Sequence, residues 1–299
     1  MKTLKSILVI IVILLVTLTT QAQEKEFPKL TGPYLGQKPP DNKPIIFADG
    51  IVSSDTDHCS ATFSTDGKEI YWEIGTKIGF TKLVNGIWSK PDILPFCKED
   101  SYQYGNPFIA PDNNKMFFTT FRSGAVSEKK ENIWYVQRIS TGWSDPKPVS
   151  PDVNQIPLHW SISVSNSGTL FFQGTMDDSY GGAGDIYYSN LVNGVYTKPV
   201  NMGQEINTAG TETCPYIAPD ESYIIFTRMG TSPENSGIFI SYRDNSGKWL
   251  SAVILEGGSI ERGGLSPKVT PDGKYLFYVN GGMFWMPIME RIEELRPKK

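Results

Sequence analysis

SPKVTPDGKYLFYV, Ser266 to Val279, sets a polar turn directly before a dense apolar run. Nearly the same phrase occurs four more times, as SATFSTDGKEIYW from Ser60, NPFIAPDNNKMFF from Asn106, SISVSNSGTLFF from Ser161 and CPYIAPDESYIIF from Cys214. With Asp66, Asp112, Ser167, Asp220 and Asp272 as equivalent turn positions, the intervals are 46, 55, 53 and 52 residues. Self-similarity at such a period marks a repeat architecture, each copy being one supersecondary unit that cannot bury its apolar face alone.

Each copy reads as four strands. The first is short and ends in the polar turn, as in PYIAPD, and the second is aromatic or aliphatic, as in SYIIFTR from Ser222 or KYLFYVN from Lys274. The third has the character of NIWYVQRI from Asn132, DIYYSNLV from Asp185 and GIFISYRD from Gly237. The fourth follows a glycine-containing hairpin: NGIWSKPDIL, TGWSDPKPV, NGVYTKPVNM and SGKWLSAVIL. Asn85-Gly86, Asn193-Gly194 and Ser246-Gly247 are two-residue hairpin signals. Trp88, Trp143, Tyr196 and Trp249 recur at one place in this fourth strand and are expected to pack between adjacent sheets. Apart from a short turn of helix at Met289 to Leu295, no segment sustains a 3.6-residue apolar period. Four-stranded units of about 50 residues point to propeller blades.

Blade number follows from the two ends. The last repeat offers three strands, LSPKVTP, KYLFYVN and MFWMPIM, before the charged tail ERIEELRPKK. KPIIFADGIVSS, from Lys43, matches the missing fourth strand and its linker. If it completes the final blade, the ring closes and leaves no open sheet edge. The expectation is an all-β, five-bladed propeller with blades near 56–100, 101–155, 156–208, 209–258 and 259–299 plus 43–55. Residues 23–42 are rich in Pro and Gly and carry no strand pattern, so they read as an irregular leading segment.

Lys2 and Lys5 precede an uncharged apolar run from Ile7 to Leu18 and then Thr20-Gln21-Ala22, the order of a signal peptide over residues 1–22. An exported protein, periplasmic or extracellular, is expected, with no membrane insertion after cleavage. The formal charge of −4, with both signs interspersed, offers no basic stripe for nucleic acid. Three cysteines, Cys59, Cys97 and Cys214, leave at least one outside any intrachain bridge, and a Cys59–Cys97 pair is the option considered. A monomer is expected, and no cofactor.

The chain resembles the TolB-like, WD-repeat-like propeller repeats of exported bacterial proteins. The residues that carry the resemblance are the turns STDG at Ser64, APDN at Ala110, APDE at Ala218 and TPDG at Thr270, with GGAGDIYYS from Gly181 and GQEINTAGTETCPYIAPD from Gly203. It covers nearly all of the chain after the leader and implies the fold together with a role as a binding platform in the cell envelope or outside it. None of the modules that often accompany such repeats is expected in this stretch of sequence, so their functions are not carried over.

The turn aspartates read as caps of their own backbone. The acidic stretch GTMDDSYGGAGD, with Asp177, Asp178 and Asp185, lacks the ligand spacing of a calcium loop. Both histidines, His58 and His159, fall eight residues before their turn position, where Tyr104 and Glu212 stand in two other repeats and Arg262 lies close by in the last. Inner strands line a propeller's channel, so these positions are expected to ring one mouth. Such a set could grip an anionic or sugar ligand, supply an acid and a base, or hold a divalent metal through His58, His159 and Glu212. The connections between second and third strands, on the same side, are long in the three middle repeats and bring in Arg122, Tyr180 and Arg228. The primary expectation is a binding or scaffolding protein for a small molecule, a glycan or an envelope protein. The alternative is a carbohydrate-active hydrolase or lyase working through the mouth His and Glu residues. No G-x-S-x-G, phosphate-cradling glycine loop or H-E-x-x-H is found.

Overall fold

A computed structural model describes residues 26–53, 61–98, 102–120, 132–156, 161–256 and 264–298. Five antiparallel sheets form the five blades of a propeller. Inner strands, Ala61–Phe63, Tyr104–Ile109, Ile162–Val164, Thr211–Ile217 and Leu265–Val269, each pair with the next strand of their own repeat. The last blade takes its outer strand from the beginning of the chain: Ile45 lies opposite Trp285 and Ile46 opposite Phe284. Closure is reinforced by Phe47, fully buried, whose ring centroid lies 4.8 Å from that of Phe277 and 5.4 Å from that of Trp285.

The segment before this strand is a strap across the closing seam. Trp88 Nε1 of the first blade donates to the Gly32 carbonyl at 2.7 Å, and Tyr34 Oη donates to Asp272 of the fifth at 3.0 Å. Tyr34 also packs edge-on against Phe63 and Tyr275, and Leu35 is 3% exposed. Its sequence shows no strand period because it is held by side chains reaching into two blades, not by a ladder of its own. At the seam between the fourth and fifth blades the helix Met289–Leu295 has the same role, with Ile292 buried and its carbonyl accepting from Tyr242 Oη at 2.5 Å.

The turn aspartates cap their own backbone. Asp66, Asp112, Asp220 and Asp272 each accept, through Oδ1, the amide two residues on, at 3.1, 2.9, 3.0 and 3.2 Å. Ser167 stands in for Asp in the third blade, and Glu221 of the fourth blade supplies the carboxylate it lacks, accepting from Ser165 and Ser167 at 2.7 Å each.

The repeated aromatic sits on the returning arm of the hairpin, ahead of the outer strand and not in it: Ile87–Trp88 precedes the outer strand Asp92–Ile93. It bridges blades as expected. Trp143 Nε1 reaches Tyr71 Oη of the first blade at 3.3 Å, and Tyr196 meets Phe117 of the second. At the first seam Arg138 also donates to both oxygens of Glu69, at 3.2 and 2.5 Å.

Candidate functional site

Inner strands run from what we term the loop face, where the second-to-third-strand connections lie, to the turn face, where the aspartate turns lie. On the loop face, Tyr104 and Glu212 begin their strands at equivalent places. The amide of each donates to the preceding blade's connection, Tyr104 to Thr76 O at 2.8 Å and Glu212 to Gly184 O at 3.0 Å. Their side chains do not face the axis. Tyr104, 2% exposed, packs with Phe96 and Phe118 in the core shared by the first two blades. Glu212 is fully buried, and its carboxylate accepts from Thr208 N at 2.9 Å, Thr208 Oγ1 at 2.7 Å and Arg228 Nε at 2.8 Å. Arg228 in turn stacks over Phe239, 4.2 Å from the ring centroid, and donates to Ile206 O.

The reason these side chains leave the axis is a bulge. Asn106, Ser161, Cys214 and Ser266, each six residues before its turn, all have positive φ, between 50° and 59°. In the second, fourth and fifth inner strands the ladder slips by one residue there, between Gly105 and Phe108, Thr213 and Tyr216, and Leu265 and Lys268. One extra residue reverses which face the following side chains take. Beyond the bulge, the positions three and four before the turn reach the axis, the former in all five repeats and the latter in four. Thr62, Phe108, Tyr216 and Lys268 all line a cavity of about 90 Å³ there.

Tyr180 stands apart from the other described loop-face candidates because it is 43% exposed. Its amide donates to Asp185 Oδ2 at 2.9 Å, and Ala183 N donates to Thr211 Oγ1 of the next blade at 2.7 Å. Gly182, at φ +59°, presses so close that a Cβ there would lie 2.2 Å from Gly210 O. The loop is thus a fixed support beneath an outward tyrosine. Asp178 and Asp185 are absorbed in holding it: Asp178 Oδ1 accepts from Tyr187 Oη at 2.8 Å, and Asp185 Oδ2 accepts from Asn201 Nδ2 at 2.7 Å. Burial raises the pKa of Asp185, with the neighbouring Glu212 and Asp178 charges adding to it, and its Oδ1 has no hydrogen-bond partner among the described residues.

His58, His159, Arg122 and Arg262 lie outside the described residues, as does Cys59. Cys97 is buried against Ile78 O and Leu94 O, and Cys214 is a buried free thiol. Among the described residues no three His, Cys, Asp or Glu side chains are grouped to hold a metal, and no helix is long and apolar enough to cross a membrane. Lys268 and the bulge ring were not singled out from the sequence. The available signal was a Pro directly after the bulge residue in three repeats, Asn106-Pro107, Cys214-Pro215 and Ser266-Pro267.

Fold and channel together define a five-bladed β-propeller. Among solved structures it is similar to TolB from Acinetobacter baumannii, 17% identical with a TM-score of 0.54, covering 88% of this chain and 61% of that one. The putative TolB from Agrobacterium tumefaciens is 18% identical with a TM-score of 0.52, covering 74% of this chain and 68% of that one. At these identities the likeness is one of fold. No protein-family model and no curated protein sequence matches the chain.

Proposed function

We propose that the protein is an exported binding or scaffolding propeller that recognises a small molecule, a glycan or an envelope protein on its loop face. Tyr180 carries this reading: a large amphipathic side chain is held outward on a loop pinned by Asp185, Thr211 and a crowded glycine contact. Rigid, exposed aromatics supply contact area with little ordering entropy, which is why they anchor recognition surfaces. Export rests on the leader pattern of residues 1–22. Hydrolysis of a glycan would need two accessible carboxylates about 5–9.5 Å apart. Of the carboxylates on this face, Asp185 and Glu212 are fully buried, and the exposed Asp177 and Asp178 are adjacent in one loop rather than set across the channel mouth, with Asp178 taken up by Tyr187, so binding is the better-supported reading.

Calorimetric titration of the mature chain with cell-wall oligosaccharides tests it. Tyr180→Ala should weaken whichever of them binds by about tenfold, or ~1.4 kcal/mol, while the melting temperature stays unchanged. Affinity unaffected by Tyr180→Ala would move the site off this loop.

A further inference from the structure

At the turn-face end of the axis, the cavity of about 90 Å³ is walled by side chains from all five inner strands. That is room for roughly three water molecules at liquid density. Its walls are apolar, with Phe63, Phe108, Val164 and Phe277 among them, and among the described residues Lys268 is the one charged side chain that lines it. Lys268 is only 7% exposed and makes no ion pair among the described residues. Its ammonium lies 5.1 Å from the centroid of the Phe108 ring.

Nearby groups do not neutralise it. Glu73 acts on Lys268 at longer range, and its carboxylate already accepts the Asn106 amide proton. Cys214, the other group acting on it, is a thiol hydrogen-bonded by Ser266 Oγ at 3.5 Å. Burial drags the ammonium down to about 8 despite both neighbours. A cation–π contact recovers only part of what burying an ion costs. A demand for negative charge is left over. Thr62 offers a second donor: its Oγ1 accepts from Ile109 N at 3.2 Å, which leaves the hydroxyl hydrogen able to turn toward the cavity.

We propose that this axial cavity binds a small organic monoanion, its carboxylate held by Lys268 Nζ and Thr62 Oγ1 and its apolar body against the aromatic wall. One ammonium and one hydroxyl match a planar monoanion. A phosphate dianion would arrive with more acceptor oxygens than this donor pair can serve. The site lies at the opposite end of the axis from Tyr180, so the failure of either reading leaves the other intact.

Thermal unfolding of the full mature chain at neutral pH, in acetate, in its neutral isostere acetamide and in inorganic phosphate at equal ionic strength, is the test. Wild-type Tm should rise with acetate concentration, following preferential binding to the native state, and should not respond to acetamide. Lys268→Met, close in volume, should lose the acetate response. Thr62→Val, which keeps the shape and removes the donor, should reduce it severalfold and provides the test should Lys268→Met not fold. An equal rise in acetate and phosphate, a rise retained in Lys268→Met, or no acetate-dependent rise in the wild type would each overturn the proposal.

Discussion

Glu212 and Lys268 are charged residues on the inner strands of adjacent blades, both withdrawn from water, and their surroundings are opposite. Glu212 accepts three hydrogen bonds, one of them the ion pair with Arg228, so its charge is answered from within the fold. Lys268 faces a cavity with an aromatic ring beside it and, among the described residues, no carboxylate paired with it. A buried charge that is fully partnered belongs to the architecture, whereas one left unanswered at a cavity calls for a partner from outside.

The largest effect should come from breaking the answered charge. Arg228→Met leaves Glu212 buried and uncompensated and should cost about 3–5 kcal/mol of unfolding free energy, read from the urea midpoint. A loss below about 1 kcal/mol would mean that the Thr208 donors suffice and that Arg228 is free for other work.

Removing the unanswered charge should do the reverse. The folded Lys268 loses its proton near 8, against about 10.4 in the unfolded chain. Between those values the unfolded state binds more protons, so wild-type stability should rise with pH there. Below pH 8 the burial penalty is fully present. Lys268→Met should then be more stable than the wild type by on the order of 2–3 kcal/mol at pH 7, with the gap closing toward pH 10.5. Glu73 and Cys214 face the same ammonium, so the double variant Lys268→Met/Glu73→Gln isolates the contribution of the first of them. A pH-independent gap would show that packing, not charge, separates the two proteins.

A smaller effect is expected at the seam between the first two blades. Burial alone would raise the Glu69 carboxyl, but hydrogen bonds from Arg138 and Lys82 outweigh it and hold it below the usual carboxylate range. Its contribution should be present above the unfolded value of about 4.3 and fade as pH falls through the folded one. Glu69→Gln should cost about 1–2 kcal/mol at neutral pH and flatten the acid limb of the stability curve. An unchanged acid limb would assign that limb to other carboxylates.

What the repeat phrase determined is the architecture. Five turn positions, the recurring hairpin aromatic and an orphan strand at Lys43 impose a closed ring, because each sheet must cover its neighbours and an unpaired edge is costly. The turn aspartates were legible too, since their role is local and reaches only two residues along the chain. The orientation of the inner strands was not. Counting eight residues back from each turn assumes unbroken alternation, but the left-handed residues at Asn106, Cys214 and Ser266 accompany an extra residue in their strands. That single insertion carries Tyr104 and Glu212 into the seams between blades and brings Phe108, Tyr216 and Lys268 to the axis. Strand periodicity is a local property that a bulge resets, so only the assembled ring decides which side chains meet at its centre.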